Sequence, residues 1–134
     1  DLPVHHALHA WLTGERFGYY VDFGSEETLA HAFEHVFVHD GTFSTFRNKT
    51  WGAPVPDELA RSRFVVFDQN HDQVGNRGLG DRPSQRLAPA QVAAGAALLL
   101  LSPFTPLLFQ GEEWGTRRPF LFFTDHAEDL GRAV

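Results

Sequence analysis

The sequence predicts an α/β fold with parallel strands, and three observations carry that expectation. The apolar run Phe64-Val65-Val66-Phe67 passes abruptly into the polar cluster Asp68-Gln69-Asn70-His71-Asp72-Gln73. A second run, Thr105 to Phe109, passes the same way into Gln110-Gly111-Glu112-Glu113. Between them lies an apolar helical stretch from Pro89 to about Leu101. β-branched and aromatic residues favour a buried strand, which the polar clusters cannot extend. Strand, long polar loop, helix, strand and polar loop make a βαβ unit, whose strands run parallel.

The other elements are read in chain order. His5 to Leu12 is expected as a short helix ended by Thr13-Gly14. Phe17 to Gly24 is expected as an aromatic loop. Ser25 suits a helix N-cap, with Glu26 and Glu27 in the first turn. That helix is expected to reach about His39, because Leu29, Phe33, Val36 and Phe37 fall at helical spacing before Asp40-Gly41. Thr42 to Val55 reads as irregular and aromatic, and Glu58 to Ser62 as a helical turn. Asn76 to Gln85, with Gly75 just before it and Gly78, Gly80 and Pro83 inside it, is expected as a long mobile loop. Pro89 suits a first helical turn. The helix after it is apolar nearly all round, and burial on all sides is expected. Phe120 to Phe123 is expected as a further short strand.

Length and composition set bounds. The chain has 134 residues, begins with Asp1 and contains no Met, so it is expected to be a piece of a larger enzyme without an internal domain boundary. Two clear strands are too few for a closed barrel, and a full (β/α)8 barrel needs about 250 residues. The net charge is −6 with no basic run, which argues against a nucleic-acid partner. The longest apolar run, Val92 to Leu101, is far short of the roughly 20 residues that span a bilayer, so no membrane partner is expected. Absence of Cys removes disulfides and thiolate metal sites and is compatible with the expected cytoplasmic location.

Asp72 is the leading candidate for chemistry. It lies just past a strand end, where barrel enzymes place catalytic side chains, and could hold a sugar hydroxyl or stabilise a developing positive charge. Capping a turn is its plain structural alternative. His71 could donate a hydrogen bond to substrate or be bonded to backbone. Glu112 and Glu113 are adjacent, so on extended chain they would point to opposite faces, one inward and one to solvent. That suits structure better than an acid–nucleophile pair, which needs two carboxyls roughly 5 Å apart aimed at one bond. His5, His6 and His9, and the stripe His31, His35 and His39, offer turn-spaced pairs but lack the Glu of the metalloprotease pattern. No metal and no cofactor is expected. Loop aromatics such as Tyr19, Phe46 and Trp51 could stack on sugar rings or simply pack a loop cover.

Phe67-Asp68-Gln69-Asn70-His71-Asp72 resembles the fourth conserved region of glycoside hydrolase family 13, the α-amylase family. Pro103 to Glu113 resembles that family's eighth barrel strand with its Gly-Glu-Glu. His5-His6-Ala7-Leu8-His9, Thr13-Gly14-Glu15, Gly18-Tyr19-Tyr20, Thr45-Phe46-Arg47, Gly52-Ala53-Pro54 and Gln73-Val74-Gly75-Asn76-Arg77 narrow the match within the family. The resemblance implies part of a (β/α)8 TIM barrel, roughly strands six to eight with their helices. The rest of that barrel would be its partner. It implies a retaining α-glycosidase in which Asp72 stabilises the transition state, while the nucleophilic Asp and the acid Glu lie on earlier strands. His71, Gln73, Asn76 and Arg77 are the expected substrate-binding set. The implied substrate is a maltooligosyltrehalose or another α-glucan, cut at the α-1,4 bond next to the trehalose unit, and the segment alone would be inactive. A glycogen-branching enzyme and a non-catalytic carbohydrate-binding piece are the alternatives. Two places depart from the family pattern: Gln110 stands where an apolar residue is usual, and Leu2-Pro3-Val4 where acids are usual.

Overall fold

A computed structural model describes residues 3–121 and residue 126. It is a mixed helix and sheet structure. Helix α1 spans Pro3–Thr13. Val4, Leu8 and Leu12 recur every four residues, and all three are buried. Full burial of Leu8 alone contributes about 1.5–3 kcal/mol. The helix ends as expected: the Gly14 N–H bonds Ala10 O at 3.0 Å, with Gly14 at φ +76°. The expected aromatic loop is a 3-10 turn, Gly18–Asp22, that buries Tyr20.

Helix α2 spans Glu26–His35, and its cap is the expected one, the Ser25 hydroxyl accepting from Thr28 N–H at 3.0 Å. It stops four residues earlier than its periodicity predicts, because Val36 leaves helical space at φ +75° and turns the chain. The predicted irregular stretch contains a hairpin, β1 Thr42–Ser44 with antiparallel β2 Lys49–Trp51. Asn48 supplies its left-handed turn residue at φ +51°. The turn expected at Glu58 to Ser62 shifts to a 3-10 turn at Arg61–Arg63.

The expected parallel pairing is present. Strand β3, Val65–Val66, pairs with β4, Thr105–Pro106. Both are shorter than expected. Pro106 has no N–H, so the ladder runs from Thr105 N to Phe64 O at 2.9 Å and from Leu107 N to Val66 O at 2.8 Å. After β3 comes α3, His71–Gly75. The segment expected to be a mobile loop instead holds helix α4, Pro83–Arg86. Helix α5 spans Pro89–Leu100. Burial on all sides is not seen: Gly95 and Leu99 are buried, while Leu100 and Leu101 are exposed. One core unites α1, α2, β3 and α5 through Leu8, Leu29, Val36, Val66, Leu99 and Phe104. The expected strand Phe120 to Phe123 lies partly outside the described residues, and Phe120 and Leu121 carry no regular structure.

Candidate functional site

Because β3 and β4 run in the same direction, the segments that follow them leave the sheet at one edge. After β3 the chain buries Asp68 and Gln69 and then begins α3. Asn70 is its N-cap, the side-chain Oδ1 accepting from Asp72 N–H at 2.8 Å and Gln73 N–H at 3.2 Å. Val74 is buried and anchors the helix to the protein. Cap and anchor fix one orientation, so the Asp72 and His71 side chains stand exposed in the first turn. Their Oδ1 and Nε2 are 3.6 Å apart.

Asp72 opens on a cleft of about 390 Å³ whose walls include Glu15, Tyr19, Tyr20, Gln73, Asn76 and Arg77. Four of the five sequence-predicted site residues, Asp72, Gln73, Asn76 and Arg77, thus share one cleft; His71 sits beside Asp72 but is not part of the wall. Glu112 and Trp114, in the segment after β4, are not part of it either.

An aromatic pocket of about 270 Å³ adjoins the cleft, and Tyr19 lines both. Its walls include His6, Phe23, His39, Phe46 and Trp51. The hairpin closes it, with Phe46 edge-on to Tyr19 at 6.2 Å between ring centres. Asp22 ties the hairpin down, accepting from Thr45 N–H at 2.7 Å and lying 3.5 Å from His39 Nε2. The predicted histidine stripe is therefore broken. His31 and His35 stack at 4.4 Å on α2, whereas His39 lies beyond the helix and faces the pocket. Burial, with His9 next in effect, pushes the His6 imidazole down to about 4. Tyr20 is pushed up, first by burial. Among the described residues, no group of three His, Cys, Asp or Glu could hold a metal ion.

The adjacent acids divide as expected, Glu112 half-buried and Glu113 exposed. They stand on a 3-10 turn, Glu112–Trp114, rather than on extended chain. Glu112 accepts from Phe109 N–H at 2.8 Å and Glu113 from Gly111 N–H at 2.9 Å. Burial and the nearby acids Asp68 and Glu113 raise Glu112 to about 7, against the Phe109 hydrogen bond. The departure at Gln110 has a simple account: its side chain is exposed, and its carbonyl accepts from buried Arg82 NH1 at 2.8 Å. Arg82 also donates from Nε to Arg118 O at 2.9 Å, so it joins the segment after β3 to the segment after β4. Sequence reasoning missed Arg82, Asp68 and Glu15. Asp68 and Glu15 left a trace, each inside a quoted motif, and Arg82 left none.

No family model matches the chain. The chain is similar to the crystal structure of a putative alpha amylase from Salmonella typhimurium, which superposes with TM-score 0.86 at 47% identity, over 97% of this chain and 22% of that one. Among curated proteins the kin are malto-oligosyltrehalose trehalohydrolases. That of Arthrobacter ramosus is 52% identical over all of this chain and 24% of its own length, and that of Mycobacterium tuberculosis 49% identical over 93% and 22%. The chain thus spans about a quarter of the length of the curated relatives it matches. The family resemblance read from Asn70-His71-Asp72 and Gly111-Glu112-Glu113 points the same way as the names of these relatives.

Proposed function

We propose that the chain is part of the catalytic (β/α)8 barrel of a retaining α-glycosidase, roughly strands six to eight within one domain. The whole enzyme hydrolyses the α-1,4 bond next to the trehalose unit of a maltooligosyltrehalose, in the cytoplasm, and releases trehalose. Asp72 stabilises the transition state. The observation that carries this reading is the placement of Asp72: an exposed carboxylate, oriented by the Asn70 cap at the end of a parallel strand, in the cleft that gathers Gln73, Asn76 and Arg77. As the glycosidic bond breaks, positive charge develops on the sugar ring, and a fixed carboxylate favours that state over the neutral ground state. Gln73, Asn76 and Arg77 line the same cleft and supply donors for sugar hydroxyls, with His71 at its edge. Tyr19 and Phe46 offer faces for a neighbouring sugar ring. The nucleophile and the general acid belong to the rest of the barrel.

The test is Asp72→Asn in the full-length enzyme, which is nearly isosteric and removes the charge. We expect kcat to fall on the order of 10²–10³-fold with little change in KM. A kcat within about threefold of wild type defeats the assignment. Branch transfer without trehalose release from a maltooligosyltrehalose would make the parent a branching enzyme instead.

A further inference from the structure

Glu15 stands just past the end of α1 and makes ionic contacts with three side chains. Its Oε1 lies 2.8 Å from Arg86 NH1 and 3.4 Å from Arg77 NH2, and its Oε2 lies 2.9 Å from His9 Nε2. Asp81 completes the net, accepting from Arg77 Nε at 3.0 Å. The net is half-buried: Glu15, Arg77 and Asp81 side chains keep between 21% and 26% of their exposure. Pairs so placed are screened less than pairs on open surface.

The two ends of this net differ in rigidity. Helix α1 is fixed by Val4, Ala7 and Leu8, all fully buried. The Glu15 backbone is held too, its N–H donating to Thr13 Oγ1 at 3.2 Å. Helix α3 has five residues, below the length at which a helix holds itself. Arg77 follows directly on its C-cap, and its N–H bonds Val74 O at 3.2 Å. The Arg77 guanidinium therefore fastens the far end of the Asp72 helix to the rigid end of α1.

Resting on the reading of Asp72 given above, we propose that Glu15 is a positioning residue that holds the Asp72 carboxylate in place through Arg77. Misplacement of a reacting group by a fraction of an ångström lowers turnover rather than ground-state binding. In the full-length enzyme, Glu15→Gln keeps the shape of the side chain and removes its charge. It is expected to lower kcat about tenfold with KM within about twofold. A role only in stability would lower the folded fraction and leave the kcat of folded enzyme unchanged. The decisive measurement repeats Glu15→Gln on Asp72→Asn. If Glu15 acts through Asp72, the second change costs less than about threefold there, because nothing remains to position. An Asp72→Asn enzyme slowed 10²-fold or more with Glu15→Gln costing the same factor in both backgrounds, or less than about threefold on wild type, overturns the proposal alone. An Asp72→Asn enzyme with kcat near wild type overturns the reading of Asp72 and this proposal with it. If Glu15→Gln does not fold, Arg77→Lys tests the same link, since one ammonium cannot span Glu15 and Asp81 as the fork does; its kcat loss must likewise vanish on Asp72→Asn.

Discussion

Removing the Asn70 cap should loosen the turn that carries Asp72, and the size of the effect follows from the bonds it makes. One oxygen, Asn70 Oδ1, accepts from both Asp72 N–H and Gln73 N–H. Helix caps of this type are worth about 0.5–2 kcal/mol. Asp72 is exposed and Gln73 half-buried, so water replaces part of what Asn70→Ala takes away, and about 1–2 kcal/mol is expected. At 1.4 kcal/mol per factor of ten, that is about 5- to 30-fold in the local opening constant. The assay is native-state hydrogen exchange over residues 68–77 of the full-length protein. Amides of Asp72 and Gln73 should exchange faster by that factor, while Leu8 and Leu99 keep their protection. Asn70→Ser, which can still cap, should recover most of the loss. Protection of both amides within about twofold of wild type in Asn70→Ala, or equal loss in the Ser and Ala variants, would refute the capping account.

Two further expectations concern the hairpin and pH. Gly52 follows β2 at φ +77°, and a Cβ there would clash with the carbonyl oxygen of His39, so Gly52→Ala should lower stability by about 1–3 kcal/mol, read as a fall in the urea midpoint; an unchanged midpoint would contradict that packing. His6 and Glu112 act on opposite limbs of the stability–pH curve. The His6 pKa is depressed in the folded state, so its contribution is present above about 6.5 and is lost as pH falls toward about 4. The Glu112 pKa is raised, so its contribution is present below about 4.5 and is lost as pH rises through about 7. Glu112→Gln should flatten thermal stability between those two values, and an identical slope in variant and wild type would count against a buried Glu112.

Features legible in the sequence are those whose cause is local. Ser25 caps α2 because its partner is three residues away, and Phe64 to Phe67 announced β3 by composition. Asp72 stands out as a candidate for the same reason, as an acid just past a strand. The hairpin was missed because its turn contains neither Gly nor Pro, and Asn48 alone takes the left-handed conformation. The end of α2 was misjudged because Phe37 continues the apolar period while Val36 has already turned. Arg82 and Glu15 were hidden by distance: Glu15 meets Arg77 across 62 positions of chain, and Arg82 meets Gln110 across 28. No window short enough to show a period contains both partners.

The parallel pairing of β3 with β4 also fixes when, during folding, the cleft can exist. These strands cannot be joined by a tight turn, and α3, α4 and α5 must all be threaded between them before Val66 meets Pro106. Closing such a loop costs entropy before any contact repays it, so crossovers of this kind form slowly. Arg82 bonds Gln110 and Arg118, and Ser84 bonds Thr116 at 2.7 Å, only once that crossover is complete. The segment from Arg82 to Ser84, which follows directly on the cleft wall at Arg77, Gly78 and Asp81, is therefore fastened late. A partly folded chain presents Asp72 on a loose turn without the finished cleft around it.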